Sequence, residues 1–554
     1  MNQTRNQTSE LKIVIVGGVA GGMSAATRAR RVNEHASIIV LERSGYISFA
    51  NCGLPYYLSG KIKNQADLFL TTPARVGSRF RIDARVHHEV TRVDRTRRCV
   101  EGINRLTQES FVVPYDKLIL APGAKPLLPP LENLEAGNVF VLRNIEDTLR
   151  LDAFLRERQP KRAVVVGAGF IGLEMVEALC DRGLEVTLIE KAPHVLPALD
   201  AQMAGWLERE LRTHGVRLEL GTGVTELLGN REGVHGVRTE AGALLETDLV
   251  LLSIGVRPTV ELAERSGLAL GRSGGIQVDR ALRTSDPDVY AVGDATEVTQ
   301  GVSHFATRVP LAGAANRQGR IAGEHAASGQ APPSPQVLGT AIVRVFGLEV
   351  GVTGLGRAAA AQAGYSVGTA LVHPKHHAGY YPGAQQMHFE LVYDEATGKV
   401  LGAQAAGGAG VDKRLDVIAT LLHFGGTLED LAALDLAYAP QFSSAKDPVH
   451  MAAFVAQNDR QRLCPSTDEV PRGVQLLDVR TRPEFERGAL PNAVNIPLDE
   501  LRERLGELDP HEPVVVYCEV GIRGYAATRI LLQRGFRHVQ NLKGGYLQQS
   551  RTAS

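Results

Sequence analysis

The 554-residue sequence has little aromatic content, only one tryptophan, only five cysteines and no net formal charge, because 61 basic residues balance 61 acidic ones. A protein whose main ligand is nucleic acid usually carries a basic excess, so the charge balance argues against that class. No apolar run approaches the ~20 residues that a membrane-spanning helix needs, and the polar N-terminus lacks the apolar core of a signal peptide. The cysteines are odd in number and form no C-x-x-C pair, which argues against a disulfide framework and a zinc site. We therefore expect a cytoplasmic protein of about three to five domains, with no nucleic acid, membrane or metal ligand.

The first motif present is a glycine-rich loop that follows a short apolar run at residues 11–16. The loop consists of Gly17, Gly18, Val19, Ala20, Gly21 and Gly22. A helical stretch follows, and a second apolar run ends at Glu42, with Arg43 next. This order predicts a βαβ unit that binds a dinucleotide. Val19 replaces the middle glycine of G-x-G-x-x-G, so this loop alone is a weak signal.

The same pattern returns, complete, at residues 163–190. The loop and the start of the following helix contain Gly167, Gly169, Phe170, Ile171, Gly172 and Glu174. The second strand again closes with an acid, Glu190. A tight turn without a ligand is the alternative for each loop, but two acids placed where a ribose would bind favour two dinucleotide sites. Glu190 would repel a 2′-phosphate, which favours NADH, whereas Lys191 next to it leaves NADPH as an alternative.

Two later segments resemble the supplementary flavin motifs of two-dinucleotide flavoprotein reductases. They are residues 115–124, which include Ala121 and Gly123, and residues 284–295, which include Gly293 and Asp294. The resemblance implies that Asp294 contacts the ribityl chain of the flavin, and it places Gly255 in the cofactor-binding set. It also implies that the first glycine loop binds FAD and the second binds NAD(P)H.

Cys52 lies in the decapeptide SFANCGLPYY, ten residues after Glu42. This segment resembles the active-site segment of coenzyme A-disulfide reductases, the single-cysteine branch of the pyridine nucleotide-disulfide oxidoreductases. Dithiol members carry C-x4-C, and Tyr57 stands where the second cysteine would fall. The resemblance implies that electrons pass from NADH through FAD to Cys52, and that a substrate thiol supplies the other half of the disulfide. Such a thiolate needs a positive environment to lower its pKa; an inert buried cysteine is the alternative.

A set of residues matches the coenzyme A site of the same family. Ser24, Arg28 and Arg31 follow i, i+4, i+7 spacing and share one helix face. The resemblance implies that this face binds coenzyme A, whose phosphates suit two guanidinium groups; a solvated helix face is the alternative. It assigns the same ligand to Ser48, Asn51 and Lys446.

Two tyrosines, Tyr380 and Tyr438, match those that the family brings to the flavin site from the partner subunit. The resemblance therefore implies a homodimer whose active site is shared across the interface. Three nearby histidines, at 373, 376 and 377, have no carboxylate or cysteine at ligand spacing. They are interpreted as surface or coenzyme A-neighbouring residues and not as a metal site.

The second cysteine of interest opens the segment CEVGIR, residues 518–523, between a strand-like VVVY and a helical stretch. A strand, a short loop and a helix start form an anion cradle that lowers a thiol pKa. With the preceding region, this segment resembles a single rhodanese domain, in which Cys518 would carry a persulfide and Arg523 would steady the loop or the incoming anion. Related phosphatases carry C-x5-R, and the shorter C-x4-R here favours sulfane sulfur; a merely buried cysteine is the alternative. Cys464, in a polar stretch, is considered as an exposed thiol.

Together these features predict an α/β protein with two Rossmann-like dinucleotide-binding domains, an α+β dimerisation domain and a C-terminal α/β rhodanese domain. The expected bounds are 11–122 with 246–330 for FAD, 123–245 for NAD(P)H, 331–455 for dimerisation, 456–466 for a linker and 467–549 for rhodanese. The expected activity is NADH-dependent reduction of coenzyme A persulfide, polysulfide or coenzyme A disulfide through Cys52, with Cys518 delivering sulfane sulfur. The alternatives are an NADH oxidase or peroxidase that cycles through cysteine sulfenic acid, and a sulfur-relay sulfurtransferase.

Overall fold

The computed structural model describes residues 10–552, with side chains up to residue 550. The chain forms two compact units. The first contains residues up to 193 together with 215–339, and the second contains residues 194–214 together with those from 340 onward. Neither unit is therefore one continuous stretch of chain.

The helices and strands are given in chain order. The first part contains β1 (Lys12–Val16), α1 (Ala20–Val32), β2 (Ser37–Leu41), α2 (Leu54–Leu58), α3 (Pro73–Phe80), β3 (Ile82–Arg85), β4 (His88–Asp94), β5 (Cys99–Asn104), β6 (Ser110–Pro114), β7 (Lys117–Leu120), β8 (Ala124–Pro126), β9 (Val139–Phe140) and α4 (Ile145–Arg158). The middle part contains β10 (Arg162–Val166), α5 (Phe170–Asp181), β11 (Glu185–Glu190), α6 (Ala201–Thr213), β12 (Arg217–Leu220), β13 (Val224–Gly229), β14 (Val234–Thr239), β15 (Leu244–Glu246), β16 (Leu249–Leu252), β17 (Val256–Pro258), α7 (Glu261–Arg265), β18 (Val289–Ala291), β19 (Val298–Thr299), β20 (Ala306–Thr307) and α8 (Ala312–Ser328). The last part contains β21 (Ala341–Val345), β22 (Leu348–Gly354), α9 (Arg357–Gln362), β23 (Val367–Val372), β24 (Met387–Asp394), β25 (Val400–Gly407), α10 (Val411–His423), α11 (Leu428–Ala432), α12 (Pro448–Arg460), β26 (Ser466–Thr467), β27 (Gln475–Asp478), α13 (Arg482–Glu486), β28 (Val494–Asn495), β29 (Val514–Tyr517), α14 (Ile522–Gln533), β30 (Val539–Leu542) and α15 (Gly545–Thr552). Short 3₁₀ helices cover Asn51–Gly53, Gln65–Leu68, Gly293–Ala295 and Leu505–Glu507.

The first nucleotide fold is a parallel sheet of order β18-β7-β1-β2-β3. Its central strand β1 is covered on both faces, as parallel strands usually are. Ile13 and Ile15 pack in the core cluster that contains α1 residues, whereas Val14 packs in the cluster formed with the antiparallel sheet β4-β5-β6. Helix α1 connects β1 to β2 and packs against α8.

The second nucleotide fold repeats this design with the parallel order β12-β11-β10-β16-β9. Helix α5 connects β10 to β11, and a second antiparallel sheet, β13-β14-β15, packs its apolar residues with β10 and β16. The glycine loops also match: the Gly17 N–H donates to the Leu41 carbonyl at 2.9 Å, and the Gly167 N–H donates to the Ile189 carbonyl at 2.8 Å. The prediction of two Rossmann-like folds is confirmed.

The second unit contains two further sheets. The antiparallel sheet β21-β22-β25-β24-β23 has two entirely buried strands, β24 and β25, and packs against α10 and α12. The parallel sheet β26-β30-β29-β27-β28 carries α14 between β29 and β30. The predicted fold class, with an α+β region followed by a C-terminal α/β region, is confirmed.

The segment between these two sheets differs from the expectation. Helix α12 extends through Arg460, so the first five residues of the expected 456–466 linker are helical. Cys464 is buried, with 6% of its surface exposed, and burial raises the pKa of its thiol to about 12. The expectation of an exposed thiol at Cys464 is wrong, because hydrogen bonds hold this segment in place: the Cys464 N–H donates to the Asn458 carbonyl at 3.1 Å, and Arg529 donates to the Leu463 carbonyl at 2.8 Å.

Candidate active sites

The loop between β1 and α1 is fixed by close backbone contacts. Gly17 has a φ of +103°, and a Cβ atom there would lie 2.1 Å from the Ala121 carbonyl oxygen. A Cβ atom on Gly22 would lie 1.8 Å from the Gly17 carbonyl oxygen. No side chain caps the start of α1, so its first N–H groups are free to bind an anion such as a pyrophosphate.

The second loop follows the same rules and explains the departure at Val19. Cβ atoms on Gly167 and Gly172 would lie 2.5 Å and 1.9 Å from backbone oxygens, whereas a Cβ atom on Gly169 would meet no protein atom within 4 Å. Gly169 is the position that corresponds to Val19. Protein packing therefore does not require glycine there, and a valine fits in the first loop.

The two acids that close the second strands make matching contacts. Glu42 accepts hydrogen bonds from the N–H groups of Gly18 at 2.7 Å and Ser44 at 2.8 Å. Glu190 accepts them from Ala168 at 2.7 Å and Ala192 at 2.8 Å. Each carboxylate is thus held at the strand end where this fold binds a ribose.

A cavity of about 850 Å³ extends from the first glycine loop to Cys52. This volume lies within the range of small-molecule binding clefts. The predicted site residues in its wall are Gly17, Ala20, Gly21, Ser24, Glu42, Arg43, Ser48, Asn51, Cys52, Ala121, Gly123, Gly293 and Asp294. The residues expected to hold FAD are therefore brought together, around a cleft suited to a dinucleotide.

Asp294 is oriented by a partner that the sequence did not indicate. Arg143 donates a hydrogen bond to Asp294 at 2.9 Å and lines the same cavity. Gly293, with a φ of +79°, donates its N–H to Gln318 Oε1 at 2.7 Å. No motif distinguishes Arg143 from a surface arginine, because its partner lies 151 residues away in the sequence.

The other residues predicted to bind a cofactor lie around α5 and β16. Phe170 begins α5, and the neighbouring Ile171 side chain is 36% exposed. Gly255 has a φ of +111° and accepts a hydrogen bond from the Leu127 N–H at 2.9 Å. The role of Phe170 and Ile171 in NAD(P)H binding, and that of Gly255 in cofactor binding, stay predictions.

Cys52 lies on the cavity wall, in the 3₁₀ turn Asn51–Gly53 that precedes α2. Partial burial raises the pKa of its thiol, and the negative charges of Glu174 and Asp294 raise it further, against the lowering effect of Arg143. Of the positive environment that a stable thiolate needs, the side chains around Cys52 supply only Arg143. Two carboxylates outweigh the one nearby cation.

Glu174, predicted as a cofactor-binding residue, forms a pair with Tyr56. The Tyr56 hydroxyl donates to Glu174 Oε1 at 3.0 Å, across 118 residues of sequence. Burial raises the pKa of Glu174 to about 7, and Glu177 adds to the effect. Burial and the same carboxylate also raise the pKa of Tyr56. The charge of Glu174 therefore changes near neutral pH, next to the Cys52 thiol.

The helix face predicted to bind coenzyme A is partly engaged within the chain. Ser24 lines the cavity, but Arg28 pairs with Glu324 of α8 at 2.7 Å, and the Arg31 guanidinium lies 5.2 Å from the centre of the Phe80 ring. The charge of Arg28 is thus already compensated. A coenzyme A role for this face stays a prediction.

Four further residues shape this end of the cavity. Ser48 has a φ of +49° and donates its N–H to the Gly18 carbonyl at 2.8 Å, so the chain before Cys52 returns to the glycine loop. Arg75 and Arg79 of α3 line the same cavity and were missed, since isolated arginines carry no sequence signal. Asn51 donates its Nδ2 to the Arg143 carbonyl at 3.4 Å.

The two predicted tyrosines lie together in the second unit. The hydroxyls of Tyr380 and Tyr438 are 3.2 Å apart, and the side chains are 77% and 50% exposed. The hydrogen bond to Tyr438 raises the pKa of Tyr380. Lys446, on the same segment as Tyr438, is exposed. The structure thus brings together two residues that are 58 apart in the sequence.

A buried ion pair anchors the segments that carry these tyrosines. Arg414 and Asp447 are in contact at 2.8 Å, with 2% and 3% of their side chains exposed. Arg414 also donates to the His376 carbonyl at 2.8 Å and to Ser443 Oγ at 3.3 Å. This pair connects α10, the segment before Tyr380 and the segment after Tyr438, and no sequence pattern indicates it.

Cys518 follows β29 and is fully buried. Its Sγ accepts a hydrogen bond from the Gly521 N–H at 3.1 Å, and Gly521, with a φ of +105°, is the residue before α14. The Cys518 carbonyl accepts the Tyr546 N–H at 2.8 Å. The strand, loop and helix start lie in the predicted order around this sulfur atom, and the anion-binding role of the loop stays a prediction.

Arg523 does not point freely at this loop. It forms two hydrogen bonds of 2.7 Å to Glu484, which also accepts the Thr481 N–H at 2.9 Å. The pKa of Glu484 is held well below its usual range by Arg523. Arg523 therefore joins α14 to α13, and it also interacts with Cys518. Whether it steadies the loop or the incoming anion stays a prediction.

Between residues 10 and 552, the structure contains neither a metal-binding cluster nor a membrane-spanning helix. Its histidines, cysteines and carboxylates form no group of three or more that could hold a metal ion. None of its helices combines the length and the apolarity needed to cross a bilayer.

Comparison with known families identifies the regions just described. Residues 11–319 match the pyridine nucleotide-disulphide oxidoreductase family. The chain belongs to this family. Residues 340–449 match the dimerisation domain of the pyridine nucleotide-disulphide oxidoreductases, and residues 467–551 match the rhodanese-like domain. FAD and NAD(H) are the cofactors of this oxidoreductase family, and the glycine loops and the cavity fit a dinucleotide.

Four known proteins illustrate the similarity. The chain is 34% identical to an NADH oxidase of Methanocaldococcus jannaschii, over 80% of this chain and 98% of that protein. It is 33% identical to a coenzyme A disulfide reductase of Staphylococcus haemolyticus, over 81% of this chain and 99% of that protein. A structure of reduced Bacillus anthracis CoADR-RHD is 42% identical and covers 98% of both chains, with a TM-score of 0.94. A NAD-dependent persulfide reductase from A. fulgidus is 37% identical and covers 97% of this chain and all of that one, with a TM-score of 0.93.

The predicted resemblance to coenzyme A-disulfide reductase–rhodanese proteins is confirmed by these comparisons. The chain is a pyridine nucleotide-disulphide oxidoreductase with a rhodanese-like domain, and coenzyme A disulfide reductases and a persulfide reductase are among its relatives. The individual site residues and the sulfur substrate stay predictions.

Proposed function

We propose that this oxidoreductase uses NADH to reduce coenzyme A persulfide, polysulfide and coenzyme A disulfide through Cys52, and that its rhodanese domain supplies the sulfane sulfur. The observation that carries the proposal is the presence of two different cysteine sites in one chain. Cys52 is accessible on the wall of a dinucleotide cleft, and the Cys518 sulfur accepts the backbone N–H of Gly521 at the start of α14.

The net reactions balance with one two-electron donor. A persulfide, NADH and a proton give a thiol, hydrogen sulfide and NAD⁺; a disulfide, NADH and a proton give two thiols and NAD⁺. Bound FAD supplies the two-electron relay between the nicotinamide and the cysteine. The Cys52 thiolate attacks the outer sulfur of a persulfide, or one sulfur of a disulfide, and the substrate thiolate leaves.

The chain's own residues position this thiol and determine how readily it ionises. Glu174 and Asp294 oppose ionisation of Cys52, whereas Arg143 favours it. Because Glu174 has a pKa of about 7, it is neutral at lower pH and then no longer disfavours the thiolate. In the proposed dimer, the pair of Tyr380 and Tyr438 belongs to the active site of the partner subunit.

The first experiment is anaerobic NADH oxidation by the purified flavoprotein, with coenzyme A persulfide and coenzyme A disulfide offered separately and sulfide release recorded. We expect faster turnover with the persulfide, one sulfide per NADH, and loss of activity with both substrates in Cys52→Ser. Cys180→Ser is the matched control, because Cys180 lies in the helix of the second loop, and it should keep activity. Faster reduction of the disulfide would make the enzyme a thiol-pool reductase.

The rhodanese domain is tested with polysulfide as the donor. Cys518→Ser should lose the polysulfide-dependent rate and keep the rate with preformed coenzyme A persulfide, because only sulfur loading is removed. If Cys518→Ser loses both rates equally, the domain is not a loading device. A sulfurtransferase rate from thiosulfate to cyanide that far exceeds the NADH rate would favour the sulfur-relay alternative.

An NADH oxidase is the second candidate, favoured by the 34% identity to the Methanocaldococcus jannaschii protein described as one. It predicts fast NADH oxidation in air, accompanied by Cys52 sulfenic acid. Rapid turnover with oxygen, and none with either sulfur substrate under anaerobic conditions, would establish this candidate and contradict our proposal.

A further inference from the structure

The second nucleotide fold presents one cation beside the acid that favours NADH. Strands β11 and β12 are parallel, and Glu190 is the register partner of Leu220. The loops that follow them, 191–193 and 221–223, therefore leave the sheet at the same edge, which is where this fold binds the adenosine ribose. Their sequences are KAP and GTG, so Lys191 is the basic residue of this edge.

The side chain of Lys191 is turned towards a second acid. Its Nζ lies 3.2 Å from Glu240 Oε1, in the turn between β14 and β15. Two hydrogen bonds with Gly223 hold Glu240 in place. Its Oε2 accepts the Gly223 N–H at 3.0 Å, and its own N–H donates to the Gly223 carbonyl at 2.8 Å. The Gly223 N–H and Lys191 lower the pKa of Glu240, so it is ionised at neutral pH.

The same edge is connected to Glu190 through the backbone. Thr222 donates its N–H to the Glu190 carbonyl at 3.2 Å, and Gly221 donates to the Ala192 carbonyl at 2.9 Å. Glu240, Lys191 and the ribose-binding acid thus belong to one hydrogen-bonded assembly. Lys191 is 78% exposed, so nothing but its ion pair restrains the ammonium group from turning towards a ligand on the ribose.

We propose that Glu240 is a positioning residue for coenzyme selection: it holds Lys191 away from the ribose 2′ position and so keeps the enzyme specific for NADH. Without Glu240, Lys191 can donate a charge-assisted hydrogen bond to a 2′-phosphate, and a negative charge near that phosphate is removed as well. Of these two carboxylates, only that of Glu190 then disfavours binding of the 2′-phosphate of NADPH. This inference rests on the proposed use of NADH by the second nucleotide fold.

The test measures binding of ADP-ribose and 2′-phospho-ADP-ribose to the FAD-loaded enzyme by titration calorimetry. Glu240→Gln keeps an acceptor for the Gly223 N–H, and it should bind 2′-phospho-ADP-ribose about tenfold more tightly, the effect of one charge-assisted hydrogen bond. Its affinity for ADP-ribose should change less than about twofold. Glu240→Asp, which keeps the charge, should resemble the parent protein.

Two further variants separate this mechanism from a general charge effect. In a Lys191→Gln background, Glu240→Gln should improve 2′-phospho-ADP-ribose binding by about twofold at most, because the ammonium donor is gone. Glu226→Gln removes a carboxylate from the same small sheet, paired with Arg238 at 2.8 Å, and should change neither affinity. The gain in Glu240→Gln should also shrink as salt is added.

A gain of equal size with and without Lys191 would overturn the proposal, as would the absence of any gain. Anaerobic reduction of the flavin by NADPH and by NADH gives an independent reading, since it needs no sulfur substrate. Glu240→Gln should raise the ratio of the two rate constants by the same factor as the binding. If the parent enzyme reduces no sulfur compound but this ratio responds, the proposed function fails while the coenzyme inference stands.

Discussion

Replacing Asp447 by asparagine should destabilise the second unit strongly. The change leaves the Arg414 guanidinium, 2% exposed, without a compensating charge, and breaking a buried ion pair in this way costs about 3–5 kcal/mol. Asparagine keeps the shape of the side chain and an acceptor for the Val449 N–H at the start of α12. The loss of stability in Asp447→Asn therefore measures the removal of the carboxylate charge and not the loss of a helix cap.

For a domain of this size, about 2–4 °C of melting temperature corresponds to 1 kcal/mol, so we expect a fall of about 6–20 °C by calorimetry. Glu429→Gln is the control, because the pair of Glu429 with Arg460 is 55% and 32% exposed and contributes less than about 1 kcal/mol. If the melting temperatures of the two variants agree within about 2 °C, the assignment of Arg414 and Asp447 as the anchor of this unit is refuted.

The pH dependence provides a second check on the same pair. Burial raises the pKa of Asp447, but Arg414 and Ser443 outweigh this effect and hold the pKa below its usual range. A carboxyl with a lowered folded-state pKa stabilises the protein above its unfolded-state pKa of about 3.9 and loses that contribution as the pH falls. The difference in stability between the parent protein and Asp447→Asn should therefore shrink below about pH 4.

Three further variants test the cofactor and cysteine sites. Gly22→Ala forces a Cβ atom to 1.8 Å from a backbone oxygen, so the turn must shift by about 1 Å, and the flavin-to-protein absorbance ratio should fall about tenfold or more. Glu174→Gln removes a charge that raises the pKa of Cys52, so alkylation of Cys52 by iodoacetamide at pH 8 should become faster. Folding raises the pKa of Glu174 to about 7, so ionised Glu174 destabilises the folded first unit. The free energy of unfolding of the parent protein should therefore fall between about pH 4.3 and 7. This fall should be absent in Glu174→Gln. Glu484→Gln releases Arg523 from its carboxylate, and sulfur uptake from dianionic thiosulfate by Cys518 should rise about three- to tenfold.

Residues fixed by local chain geometry could be predicted from the sequence. The glycine loops, Glu42 and Glu190 follow from spacing within one βαβ unit, since the strand, turn and helix lengths determine where they lie. The loop around Cys518 is equally local, because strand end, glycine and helix start are consecutive. The Tyr380 and Tyr438 pair came from family resemblance and not from spacing.

Contacts between distant parts of the chain could not be predicted. Arg143 reaches Asp294, and Tyr56 reaches Glu174, across more than 100 residues, and neither partner carries a pattern of its own. The pKa of Cys52 depends on these long-range contacts. A stable thiolate requires a positive environment, whereas folding places two carboxylates and one guanidinium near the thiol.

Helix α6 has a consequence for how the protein is made. It lies between two strands of the second nucleotide sheet in the sequence, yet it belongs to the second unit and packs there against β21, β22 and β25. Its apolar side, with Met203, Trp206, Leu207 and Leu211, leaves the ribosome before those strands exist. At about 5–20 residues per second, translation needs on the order of 10–40 s more to reach Gly407, the end of β25. During that time the apolar side of α6 has none of the strands that cover it in the folded protein.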